Sequence, residues 1–142
     1  MPIDEMKMNA SLYLDGMHNK KNVEIADIYT TNECIIHLGM ESINREDYKV
    51  IVQKYIDTFP DTKTEQNDVI GEDNKVAIRW TTSFTHIKPY MGFSPSNNKV
   101  TVTGTSIYKF SEGKIIEVWI NWDRLSMMQQ LGVTALKNTK VA

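Results

Sequence analysis

A chain of 142 residues, 41% of them hydrophobic, is sized for one domain around one core, which excludes intrinsic disorder as a description of the whole. Sixteen Lys and Arg against eighteen Asp and Glu leave a net charge of -2, so nothing here is built to meet a phosphate backbone and nucleic acid is not an expected partner. No apolar stretch approaches the roughly 20 residues that span a bilayer, and no membrane contact is expected. The opening Met1-Pro2-Ile3-Asp4-Glu5-Met6-Lys7 is acidic and polar where a secretory signal is cationic and then apolar. With Cys34 as the one cysteine, no intrachain disulfide can form, and the expected compartment is the cytoplasm.

In chain order, 3–17 and 22–29 read as helices separated by the polar run His18-Asn19-Lys20-Lys21, and 33–38 reads as an apolar strand. The clearest element follows Gly39. Tyr48, Ile51, Val52, Tyr55, Ile56 and Phe59 recur at the three-and-four spacing of one helix face, predicting a helix over 45–59. Asn44 is placed to cap it, Asp47 adds negative charge to its first turn, and Pro60 ends it. After Pro60 the period falls to two. Strands are predicted near 64–71, 75–86, 98–110 and 114–122, divided by Glu72-Asp73-Asn74, the loop 87–97 and Ser111-Glu112-Gly113. A short helix over 124–131 ends at Gly132, and residues 132–142 read as a mobile tail.

Helices followed by an antiparallel sheet define a single α+β domain over 1–142. In 114–123, alternation puts Ile116, Val118, Ile120 and Trp122 on one face and Ile115, Glu117, Trp119, Asn121 and Asp123 on the other. Two arrangements follow. Helices over the apolar face leave the mixed face in solvent. Helices over the mixed face make its polar groups line a cavity, and the apolar face must then pack against a second copy, giving a homodimer joined sheet to sheet.

Several chemistries find no support. The seven glycines are scattered singly, without a phosphate loop or a dinucleotide fingerprint, so no nucleotide cofactor is expected. His18, His37 and His86 lie too far apart in sequence for a helical ligand pair, and no metal is expected. Cys34 and His37 are three apart on a strand, so they point to opposite faces and make no thiol-imidazole pair.

Other groups carry a structural and a chemical reading together. Asp123 ends the mixed face where a helix begins; it serves as an N-cap, or as a proton-transferring carboxylate among Trp119 and Asn121. His86 ends a strand as a half-exposed hydrogen bonder or as a catalytic group, beside Tyr90, Met91 and Phe93 in a loop too long and too apolar for a solvated turn and suited to a lid over a pocket. His37 invites the same two readings at its own strand end. Arg79 is a surface cation, or a partner for a carboxylate or ligand oxygen. Trp80, Trp119 and Trp122 are core, or a pocket wall.

Taken in order, Phe59-Pro60-Asp61, Val76-Ala77-Ile78-Arg79-Trp80, Thr85-His86, Met91-Gly92 with Pro95, Glu112 to Trp119, Asp123 and Gln129-Gln130-Leu131-Gly132 resemble the SnoaL-like polyketide cyclases of the nuclear transport factor 2-like superfamily. The resemblance covers about residues 37–132. It implies a cone-shaped, curved mixed or antiparallel sheet, closed by the N-terminal helices around a deep apolar pocket, in dimers or larger homo-oligomers. It also implies ring closure by intramolecular aldol condensation without metal or cofactor. The family's acid/base aspartate maps onto Asp123 and the histidine of its Thr-His pair onto His86; Arg79 and Trp119 match recurring positions. Two departures stand out. The family's Gly-Thr-His is Phe84-Thr85-His86 here, and its Pro-Thr-Gly turn is Pro95-Ser96-Asn97-Asn98.

The expected activity is therefore a cofactor-independent cyclase or isomerase acting on a small apolar carbonyl compound. Asp123 moves the proton next to the carbonyl, and His86, Arg79 or Asn121 stabilises the oxygen that gains charge. His37, Trp80, Tyr90, Met91 and Trp119 complete the expected substrate contacts. The alternative is a non-catalytic module that holds a hydrophobic ligand in the same pocket, for which Met91, Met127 and Met128 suit an adaptable wall. A third reading has the cone filled by its own side chains, Phe84 among them.

Overall fold

The computed structural model describes residues 1–132; apart from Gly132, the expected tail lies outside the described residues. Helix α1 (Ile3–His18) turns Met6, Ala10, Tyr13, Leu14 and Met17 inward at the spacing of one helix face. The helix expected over 22–29 is two shorter pieces, a 3-10 turn (Val23–Ile25) and the single-turn α2 (Ala26–Tyr29). Asn22 caps the turn by accepting from the Glu24 N–H at 3.2 Å, and Ile25 seats against Gly16, where a Cβ would lie 2.4 Å from Ile25 Cδ1. That close approach fixes where the chain must bend.

Strand β1 (Thr30–Leu38) is longer than its apolar half suggests, and β2 (Glu41–Asn44) was not expected at all. Helix α3 (Arg45–Thr58) follows with the predicted cap: Asn44 Oδ1 accepts from the Asp47 N–H at 2.8 Å. Strands β3 (Lys63–Glu72), β4 (Lys75–Thr85), β5 (Lys99–Ser111) and β6 (Lys114–Trp122) then form an antiparallel meander, and α4 (Arg124–Leu131) ends at Gly132 in the left-handed region, φ 118°.

The six strands lie in the order β2-β1-β6-β5-β4-β3, with β1 parallel to β6, so the sheet is mixed and curved but not closed. Register shifts between Gln66 and Asp68, between Lys109 and Phe110, and between Thr30 and Ile35 mark the bulges that bend it. One of these revises a face. Lys109 opposes Glu117 while Phe110 opposes Ile115, so Ile116 is the extra residue; Ile115 joins Val118 and Ile120 in the core and Ile116 stays half-exposed.

Helices cover the apolar face. Val76, Ile78, Trp80, Val100, Val102, Tyr108, Val118 and Ile120 pack with α1, α3 and α4 into one cluster, while Glu117, Trp119 and Asn121 face outward. This is the first of the two arrangements, so the premise from which the sheet-to-sheet dimer was derived does not hold. Among the described residues, no helix is long and apolar enough to cross a membrane.

Ion pairs tie α3 to the segment before β1. Lys49 reaches Glu24 (2.9 Å), Asp27 (3.1 Å) and Glu46 (3.2 Å) with only 9% of its side chain exposed. The bond from Glu24, then those from Asp27 and Glu46, hold its ammonium charged well above the usual range, against the opposing effect of burial.

His18 contributes a pH dependence. Part of the residue meets solvent, yet burial pushes its pKa down to about 4 from 6.5. The folded-state value is depressed, so as pH falls the unfolded chain takes up the proton first. This contribution to stability is intact above about pH 6.5 and is lost between 6.5 and 4. The urea midpoint of the protein should fall from pH 7 to pH 4.5, and His18→Gln should remove part of that fall; an equal fall in both proteins would refute the assignment.

Candidate functional site

Arg79 on β4, Thr105 on β5 and Asn121 on β6 stand in one cross-strand row on the outer face. Strands are about 4.8 Å apart, so Arg79 and Asn121 flank the short Thr105 at about 10 Å, leaving a hollow. Thr103, Gly104, Trp122 and Asp123 complete a depression of about 430 Å³ that is open to solvent. Three of the residues singled out from sequence, Arg79, Asn121 and Asp123, therefore share one site.

Asp123 is an N-cap in fact: its Oδ1 accepts from the Ser126 N–H at 2.9 Å, and its own N–H donates to Thr103 O at 2.9 Å, tying the β6–α4 junction to β5. The residue is exposed, so the desolvation that the proton-transfer reading needs must come from a bound substrate. Arg79 Nε donates to Asp68 Oδ2 at 2.7 Å, but both side chains are at least half exposed, and such a pair contributes little stability. It is the surface cation of the two readings, with its remaining donors free to meet a ligand oxygen.

His86 does not line this depression. It lies one residue beyond β4, fully buried rather than half-exposed. Its Nδ1 receives the Ser96 N–H at 3.3 Å and lies 3.0 Å from Ser96 Oγ, which itself accepts from the Asn98 N–H. These bonds assign the proton to Nε2, which has no partner among the described residues. Backbone bonds between His86 and Asn97 and Asn98 fasten both ends of the 87–97 loop.

The neighbouring motif explains itself structurally. Asp61 accepts from the Thr85 N–H (3.0 Å) and hydroxyl (2.6 Å). Partial burial opposes ionisation, but these bonds prevail and hold its carboxyl below the usual range.

On the helix-covered side of the sheet, aromatic rings pack together. Phe84 packs on Phe59 with ring centroids 4.0 Å apart, Phe59 meets Tyr90 at 5.2 Å, and the Tyr55 and Tyr90 hydroxyls lie 3.0 Å apart. Trp80 is core, its Nε1 donating to Ser106 Oγ at 3.0 Å. Of the three methionines assigned to an adaptable pocket wall, Met127 and Met128 are buried in the core and only Met91, in the loop, is exposed. Arg124 Nη2 lies 3.6 Å from Met91 Sδ, and its Nε is buried without a partner among the described residues.

His37 and Trp119 form a third group, outside the cone. Their rings stack at 5.4 Å and 20°, while His37 Nε2 meets Glu117 Oε2 at 2.7 Å and Nδ1 meets Ser42 Oγ at 2.8 Å. Cys34 faces the opposite way into the core, where burial pushes its thiol up to about 12, so it is no nucleophile. Sequence reasoning missed Ser42, Glu117, Tyr55 and Arg124 as site residues. The signal for Glu117 was its place beside Trp119 on the mixed face; Ser42 lay in a strand that was not read. Among the described residues, no group of three or more His, Cys, Asp or Glu is placed to hold a metal ion.

This curved sheet with helices on its concave side is the α+β cone of the nuclear transport factor 2-like proteins. The chain belongs to the SnoaL-like polyketide cyclase family, whose model matches residues 8–131. It is similar to AclR of Streptomyces galilaeus, a proposed hydroxylase, at 20% identity and TM-score 0.85 over 92% of this chain and 87% of that one. It is also similar to IdmH of Streptomyces antibioticus, a proposed polyketide cyclase, at 25% identity and TM-score 0.75 over 87% and 95%. A further proposed polyketide cyclase, from Bacillus cereus, shares 25% identity and TM-score 0.75 over 92% and 83%. No curated protein matches the chain.

Proposed function

We propose that this protein is a cofactor-independent cyclase or isomerase of small apolar carbonyl compounds, working in the depression that joins Arg79, Asn121 and Asp123. The observation that carries this reading is their convergence: one carboxylate and two oxygen-binding donors around a hollow of about 430 Å³, within the range of small-molecule sites. Asp123 is the residue onto which the family's acid/base aspartate maps, and its cap uses only Oδ1, leaving Oδ2 to take a proton next to the carbonyl. Arg79 and Asn121 then donate to the oxygen as it gains charge. A substrate lying across Thr103, Thr105 and Trp122 excludes water from the carboxylate.

His86 is assigned a positioning role, anchoring the 87–97 loop through Ser96. A homodimer across the outer face, where Ile107 and Trp119 lie side by side in register, is part of this proposal, as is action in the cytoplasm, which the unpaired, buried Cys34 suits. The packing of Phe84, Phe59 and Tyr90 on the helix-covered side favours the outer depression over an interior ligand site, and so counts against the binding-module reading.

Proton removal can be read without knowing the natural product. An aryl methyl ketone such as acetophenone, incubated with the protein in deuterated buffer, should exchange its α-protons faster than in buffer alone, by proton NMR. Asp123→Asn keeps a good helix cap and should abolish the excess rate, about 10² to 10⁴-fold in a general-base step. An Asn variant that exchanges as fast as the parent overturns the assignment of Asp123.

A further inference from the structure

The geometry points to a second reactive centre on the outer face, in which Ser42 is a nucleophile acylated by small carboxylic esters and then hydrolysed. Sheet topology assembles it. The β1–β2 register sets His37 opposite Ser42, and the parallel β1–β6 register sets His37 opposite Trp119, two residues along the same strand face from Glu117. The result is a chain of two short hydrogen bonds, Ser42 Oγ to His37 Nδ1 at 2.8 Å and His37 Nε2 to Glu117 Oε2 at 2.7 Å.

The chemistry of the partners assigns the protons. An ionised carboxylate only accepts, so His37 Nε2 carries the hydrogen and donates it to Glu117. Nδ1 is then the bare nitrogen, and the hydroxyl of Ser42 donates to it. This is the relation of nucleophile, base and orienting carboxylate in a Ser-His-Asp triad, with the two ring nitrogens exchanged between their partners. Trp119 stacked on the imidazole at 5.4 Å holds the ring plane, and the side chains of His37 and Glu117 are 24% and 28% exposed, which shields their bond from water. Ser42 itself is exposed. Strand β2 is the sheet's edge, so alternate backbone N–H groups within a residue of Ser42 are unused by the ladder and can donate to an oxyanion.

The steps balance without a cofactor. Ser42 Oγ bonds to the ester carbonyl carbon while its proton passes to His37 Nδ1, and Glu117 holds the imidazolium. The carbon–oxygen bond to the alcohol breaks as Nδ1 returns the proton to the leaving oxygen. Water, losing a proton to Nδ1, then attacks the acyl carbon, and Ser42 Oγ departs and regains its hydrogen. The site is open, so it selects reactive esters with small acyl groups. Ser42 lies on the outermost strand, at the margin of any dimer formed across the face.

The full chain should release nitrophenolate from p-nitrophenyl acetate and react with a fluorophosphonate, with the adduct found on Ser42 by peptide mass spectrometry. Ser42→Ala should abolish both. His37→Phe keeps a ring for Trp119 to stack on but has no base, and should slow acylation about 10³-fold. Glu117→Gln, which tests a positioning residue, should lower the maximal acylation rate with the half-saturating ester concentration unchanged. A label on lysines and not on Ser42, or acylation of Ser42 at the same rate in the His37→Phe protein, overturns the proposal.

Discussion

Replacing Phe84 by Ala should lower the unfolding free energy by about 3–5 kcal/mol and open an apolar space that binds a guest. Phe84 is 4% exposed and packs on the fully buried Phe59 with centroids 4.0 Å apart and planes tilted by 33°, and Tyr90 lies 5.2 Å from Phe59. Removing the ring forfeits its transfer free energy and its contacts, and the neighbours cannot close the gap. Phe59 is held by the end of α3, and Tyr90 by paired backbone bonds with Phe93 and by the Tyr55 hydroxyl.

The position has a wider meaning, since the resemblance places a glycine of the Gly-Thr-His pattern here. A ring at 84 therefore occupies space that a glycine would leave open. An apolar cavity of this kind stays dry and accepts benzene. Urea unfolding should give the stability loss, and benzene should raise the melting temperature of Phe84→Ala but not of the parent. A loss below about 1 kcal/mol would mean that the ring is not core. An equal benzene effect in both proteins would mean that the parent cone is already open.

How far the sequence revealed this molecule depended on whether a signal was local. The α3 helix was legible because six apolar residues keep its period and Asn44 and Pro60 mark its ends; the observed Arg45–Thr58 agrees within a residue. The β3 to β6 meander was legible from period-two alternation and tight turns. Strand β2 was not, because four residues on a sheet edge bury too little to show a pattern. The bulge at Ile116 was invisible because Ile115 and Ile116 are chemically identical, and only the pairing with Phe110 decides which is inside.

The candidate site follows the same rule. The capping role of Asp123 could be read from a strand-to-helix junction, but its meeting with Arg79 needs the β4-β5-β6 register. Ser42, His37 and Glu117 meet only through the parallel β1–β6 pairing, which no neighbouring residues announce. Burial of His86 was missed because it depends on Ser96, ten positions further along the chain, folding back onto it.

Gly104→Ala tests that dependence on register directly, and should cost about 2–4 kcal/mol, an overpacking penalty together with a lost buried hydrogen bond. Gly104 lies opposite Trp80 on β4 and Trp122 on β6. A Cβ there would stand 2.4 Å from Trp80 Cζ2, 2.6 Å from its Cη2 and 2.7 Å from Trp122 Cβ, all far inside contact distance. Glycine is needed for room, since an indole lies flat across the strand. The Trp80 ring must tilt away, and its Nε1 then loses Ser106 Oγ while both groups stay buried. If that collision is the cause, shortening the ring relieves it. The cost of Gly104→Ala in a Trp80→Phe background should therefore fall by at least 1 kcal/mol, a coupling expected only between residues in contact. Additive losses in the double-mutant cycle would place the strain elsewhere. The same urea series reports on the outer depression, because Gly104 and Trp122 also line it. A tilt of Trp80 that displaces Trp122 should lower α-proton exchange by Asp123 in step with the lost stability.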